Sequence, residues 1–136
     1  MRTQQHQQQG ALVARQSFPR EPNAVGAARR WTVAAYLQAG GTQKDTCALL
    51  VSELATNAVL HAVGDQFEVA VWDSGVVDVI DASRVRPVIP DRPDDRDEHG
   101  RGLILVEALS AHFEVIPFEG GKTSRFRLDE GDSHVG

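Results

Sequence analysis

The sequence predicts an α+β two-layer sandwich, with a mixed, mainly antiparallel sheet covered on one face by helices. Three observations lead there. Periodic segments follow the order strand, helix, helix, two strands, loop, helix, two strands. Strands come in hairpins joined by short turns, and helices are contributed in bulk rather than after every strand. With 136 residues, 41% hydrophobic and 24% charged, the chain is long and apolar enough for one domain around a single core.

Residues 1 to 10, MRTQQHQQQG, form a polar glutamine-rich tail expected to be disordered, and the domain is expected over residues 11 to 129. LVARQSF (12 to 18) alternates apolar and polar residues and reads as a first strand. Pro19 and Pro22 break the chain. Val25, Ala28, Thr32 and Ala35 then recur at helical spacing, predicting a helix over 23 to 38 that stops at Gly40 and Gly41. Thr42 is the expected N-cap of a second helix running to about Ala62. After a turn at Gly64-Asp65, the β-branched runs FEVAVWD (67 to 73) and VVDVIDA (76 to 82) predict a hairpin about Ser74-Gly75. From Ser83 to Glu98 arginine, proline and aspartate dominate, which predicts a long functional loop. HGRG (99 to 102) opens a third helix, LILVEALSA. The strand HFEVIPF (112 to 118), a turn at Gly120-Gly121 and the strand KTSRFRL (122 to 128) complete the domain, and residues 130 to 136 are expected to be a tail.

Composition narrows the function. Net charge is −5, from 19 acidic against 14 basic residues, so no general basic footprint for nucleic acid exists and a nucleotide would be held by local geometry. Apolar runs are too short to span a bilayer and the N-terminus lacks the apolar core of a secretory signal, which predicts a cytoplasmic protein that does not meet the membrane. The one cysteine, Cys47, cannot make an internal disulfide or a cysteine metal cluster, and its helical position predicts a packed thiol.

Four stretches can carry chemistry, each beside a plainer alternative. In SELATNAVLHA (52 to 62), Glu53, Asn57 and His61 recur at four-residue steps and stack along one side of a helix. Asn57 can offer a neutral oxygen to a magnesium ion otherwise held by phosphates and water, and Glu53 can orient or deprotonate an attacking hydroxyl. Alternatively, the three residues are the wet side of an amphipathic helix. Asp81, at the end of a buried strand, can accept a hydrogen bond from an exocyclic amine, or can close the strand with an Asx turn. In HGRGLILVEAL, Gly100 and Gly102 let backbone amides meet anionic oxygens at a helix start, although glycines also end loops for conformational reasons. Thr123, early in the last strand, can bring its hydroxyl to a base or be an ordinary half-exposed hairpin residue.

The order and spacing of these stretches are more specific than any one of them. ELxxNAxxH on a helix, a strand ending in Asp, a loop, GxG opening a helix and GKT entering a strand resemble the N, G1, G2 and G3 boxes of the GHKL ATPase superfamily. SELATNAVLHA and HGRGLILVEAL most closely resemble the anti-sigma-factor serine/threonine kinases of actinobacteria and their ATP-binding relatives, from Leu12 to Leu128. The resemblance implies ATP and magnesium as ligands. It implies Glu53 as general base and Asn57 as magnesium ligand. Asp81 would contact the adenine amine and Thr123 would lie near the adenine. Gly100 and Gly102, with the amides of Arg101 and Leu103, would line the triphosphate. Residues 83 to 98 would be the ATP lid. The implied partners are a sigma factor and an anti-sigma-factor antagonist, with homodimerisation through the sheet.

One departure is plain. The superfamily's G1 box is commonly DxGxG, whereas this chain reads DASRVRP, and bulky side chains in place of glycine are expected to weaken nucleotide binding or shift its pose. Two function classes follow. The intact Glu53 and Asn57 favour a kinase that phosphorylates the antagonist and sequesters the sigma factor. The missing glycines favour a non-catalytic module that works by protein binding alone. A sensor histidine kinase fits poorly, because no phosphoacceptor helical hairpin precedes the domain.

Overall fold

The computed structural model describes residues 10–83 and 98–128, with the backbone alone for 98–102. Its elements are β1 (Leu12–Pro19), α1 (Ala24–Gln38), α2 (Lys44–His61), β2 (Gln66–Trp72), β3 (Val76–Asp81), α3 (Glu98–Leu109), β4 (His112–Phe118) and β5 (Gly121–Arg127). The five strands form one sheet in the order β1-β2-β3-β5-β4. All four pairings are antiparallel, so the parallel component of the expected mixed sheet does not occur among the described residues. Residues 1–9 and 130–136 of the expected tails and 84–97 of the expected lid, Arg84 and Arg86 among them, lie outside the described residues.

Strand alternation sorts side chains between two faces. Phe67, Val69 and Val71 of β2 share one face with Val77 and Val79 of β3 and with Phe126 of β5, and all six are buried. The three helices cover this face. α1 packs on β1 and β2, α2 on β2 and β3, and α3 on α2 and β4. The strip from Cys47 through Leu50, Val51, Leu54, Ala55 and Ala58 points α2 into the core, with Cys47 as a buried thiol. Phe18 joins the layers at the β1 edge, stacking on Phe67 at 5.7 Å between centroids and meeting Trp31 edge-on at 5.8 Å.

Two boundaries differ from expectation for identifiable reasons. The N-cap of α2 is Gln43 rather than Thr42, and it makes no side-chain capping bond. Its backbone amide donates instead to the Tyr36 hydroxyl at 3.1 Å, so a buried tyrosine of α1 anchors the entry into α2. Gly41 lies against that tyrosine ring, where a Cβ would collide with it. α3 starts at Glu98, which places Gly100 and Gly102 within its first turns rather than ahead of it.

Thr32 of α1 is fully buried, and its hydroxyl oxygen has no hydrogen-bond partner. An unpaired buried hydroxyl carries a desolvation cost that the near-isosteric valine lacks. Thr32→Val is therefore expected to stabilise the fold by about 1 kcal/mol, read as a higher urea midpoint at unchanged slope.

Candidate functional site

Two sets of polar residues bear on the candidate site, Glu53, Asn57 and His61 on α2, and Asp81 and Lys122 where the end of β3 pairs with the start of β5. Glu53 and Asn57 are half-buried on α2, and His61 is exposed at its last residue. Ser52 accepts a hydrogen bond from Arg29 of α1 at 3.2 Å, which marks the flank of α2 that faces α1. At 3.6 residues per turn, Asn57 lies roughly 140° around the helix from Ser52. Its flank therefore turns away from α1 and toward the side on which α3 packs.

α3 begins at Glu98, and the first four amides of any α-helix lack intrahelical acceptors. Among the described residues those amides belong to Glu98, His99 and Gly100, so Gly100 falls in this set whereas Arg101, Gly102 and Leu103 lie beyond it. Leu103 is buried, which ties this end of α3 to the core and leaves only its backbone for a ligand.

At the sheet, register decides which residues meet. Asp81 pairs with Lys122 and Ile80 with Thr123. By alternation Asp81 and Lys122 share the helix-covered face with Val79 and Ser124, while Thr123 shares the opposite face with Ile80 and Arg125. Thr123 and Asp81, expected on one adenine, are thus on opposite sides of the sheet.

Asp81 is also engaged within the protein. Lys122 Nζ donates to Oδ1 at 3.1 Å and to Oδ2 at 3.0 Å, and the amide of Ser83 donates to Oδ1 at 2.8 Å. The Ser83 bond is the Asx turn weighed as the plainer alternative. Asp81 and Lys122 are each only 6% exposed. Gly121 permits the approach that brings them together, since a Cβ there would strike the Asp81 carbonyl. Ser83 and Lys122 also form the wall of a cleft of about 400 Å³ with Pro117, Phe118 and Gly121. A second cleft, of about 330 Å³, is lined by Arg15, Glu68, Ile80, Asp81 and Phe118 among others. Neither is lined by Glu53 or Asn57.

The uncovered sheet face carries its own network. Arg125 holds Asp78 through Nε to Oδ1 at 2.7 Å and Nη2 to Oδ2 at 2.9 Å, and Trp72 Nε1 donates to Oδ2 at 3.1 Å. Hydrogen bonding to Asp78 raises the Arg125 pKa further above its ordinary value, against the lowering effect of burial. A raised folded-state pKa stabilises below the unfolded value and loses that effect only as pH rises through the folded one, so this guanidinium stays charged throughout the physiological range.

The model of the family described as histidine kinase-like ATPase domain matches residues 18–128. The chain belongs to that family. The five-stranded antiparallel sheet with three helices agrees with it. Membership in the histidine kinase-like ATPase domain family implies ATP binding and a regulatory role. No curated protein matches the chain. Among the described residues, no helix is long and apolar enough to cross a membrane.

For a histidine kinase-like ATPase domain, the two ends of the candidate site differ in fit. Asn57, half-buried on α2, can offer one carboxamide oxygen to a magnesium ion carried chiefly by phosphates and water. The base end fits less well, because Asp81 is already paired. Sequence reasoning left the role of Lys122 open. β3 and β5 are 40 residues apart in the chain, and only their register shows that Lys122 stands opposite Asp81.

Proposed function

We propose that this histidine kinase-like ATPase domain is a magnesium-dependent serine/threonine protein kinase of the anti-sigma-factor type. Its acceptor would be an anti-sigma-factor antagonist, and it would also sequester a sigma factor. The observation that carries the reading is the pairing of Glu53 and Asn57 one turn apart on α2, both half-buried, which supports a role for that flank of the helix in holding phosphate and metal. The free amides at the start of α3 suit phosphate oxygens. Asn57 would hold a magnesium ion through its carboxamide oxygen, and the ion when bound would supply charge neutralisation at the phosphates. Glu53 accepts the proton of the serine hydroxyl as that oxygen bonds to the γ-phosphorus. The bond from the γ-phosphorus to the β–γ bridging oxygen breaks, and ADP leaves with the electron pair.

Labelled ATP with magnesium and an antagonist protein should yield phosphoserine. Asn57→Ala should weaken magnesium-dependent ATP binding by about tenfold or more while leaving magnesium-free binding nearly unchanged. Equal loss in both conditions would remove Asn57 from the metal. Homodimerisation through the uncovered sheet face belongs to the same proposal, and light scattering tests it.

A second reading is favoured by one observation, the occupied Asp81 carboxylate. On that reading the domain holds protein partners without transferring phosphate. Absence of any heat on titrating the protein with magnesium and ATP would support it over the kinase.

A further inference from the structure

We propose that Lys122 makes this site indifferent to the nucleobase, so that its substrate class is magnesium nucleoside triphosphates rather than ATP alone. The inference rests on the kinase reading and concerns the base end of the same site. An ionised carboxylate has about four lone-pair positions for donors. Asp81 uses three of them, both on Oδ1 through Lys122 and Ser83 and one on Oδ2 through Lys122. Burial closes the rest, because its side chain is 3% exposed and that of Lys122 7%. A base arriving from the cleft of about 400 Å³ meets Lys122 and Ser83 in the wall and not Asp81, which borders instead the second cleft of about 330 Å³ beside Arg15, Glu68 and Ile80.

The exchange needed for adenine recognition is unfavourable. For the exocyclic amine to reach Asp81, the Lys122 ammonium must withdraw, and a neutral amine must replace charge-assisted bonds that are roughly twice as strong. The displaced ammonium would also lose its partner in a buried setting. With its ammonium already donating to both Asp81 oxygens, Lys122 offers the exocyclic amine no acceptor, and the amine confers no advantage. A keto base, which carries an acceptor at the same ring position, is not penalised. Discrimination between bases normally requires a buried polar group left unmatched by the wrong one, and here that group is matched internally. Affinity then comes from the triphosphate end.

The test compares ATP with inosine triphosphate, which replaces the amine by a keto oxygen. Calorimetry on the full chain with magnesium should give dissociation constants for the two within about threefold of each other. Lys122→Met, which exposes the carboxylate to the cleft, should shift the ratio toward ATP by at least about tenfold. A parent protein that already prefers ATP by more than about tenfold overturns the inference while leaving the kinase reading intact, and it does so without any variant. An unchanged ratio in a folded Lys122→Met protein also overturns it. If neither the parent nor the variant binds any triphosphate, the kinase reading itself fails, and the inference falls with it. Thermal melts of the variant establish that it is folded; should it not be, the parent ratio still decides.

Discussion

Glu53→Ala is expected to lower the rate of phosphoryl transfer to the antagonist by about a hundredfold or more, the usual contribution of a positioned general base. Glu53 is half-buried on α2 and outside the core, so the melting temperature should hardly move. Nucleotide affinity should persist, because on the proposed reading the triphosphate would be held by other groups. The loss should therefore appear in kcat at saturating nucleotide rather than in KM for ATP. Glu53→Gln keeps the shape and removes the base, and it should be as inactive as the alanine variant. Transfer at the parent rate in either variant would assign the proton to another acceptor.

Asp78→Ala should produce the largest change in stability. The carboxylate is 3% exposed and receives both nitrogens of the Arg125 fork as well as the Trp72 indole. Its removal leaves a partly buried guanidinium and an indole N–H without this acceptor, and breaking one side of a buried pair costs about 3 kcal/mol or more. For a domain of this size that corresponds to a fall of roughly 10 °C in Tm. Asp78→Ala with Arg125→Met should recover much of the loss, since both charges are then gone. A double variant no more stable than the single one would show that the residues act through packing and not through their charges. Arg15 and Glu68, joined by a bond of 2.8 Å on the same sheet face, are exposed and half-exposed respectively and should contribute far less.

The contrast between these two acidic residues shows where reading the chain stops. Asp78 and Asp81 sit in one short strand, VVDVID, and differ by an odd number of positions, so they project from opposite faces. Residue order alone does not say which face is covered by helices. Nor does it say that β5, rather than β4, inserts beside β3. Once that insertion is made, Asp81 meets Lys122 and Asp78 meets Arg125, and both carboxylates find basic partners more than 40 residues away. Thr123 illustrates the same limit. Its place in GKT suggested the base, yet pairing with Ile80 turns it to the uncovered face.

Local chemistry was legible throughout. Alternation and β-branched runs marked the five strands, helical spacing marked α1 and α2, and the four-residue steps from Glu53 to His61 marked the polar flank of α2. These are properties of a few consecutive residues, and period alone exposes them. The sequence by itself thus determined the element order and the α+β class, and it nominated the polar residues proposed for phosphate and metal. The tertiary structure alone decided that Asp81 is held by Lys122 and Ser83, that Thr123 stands apart from it, and that Tyr36 rather than Thr42 receives the amide at the start of α2. Each of those outcomes depends on contacts between segments distant in the chain, where the partner is chosen by sheet register and shared burial rather than by any neighbour in sequence.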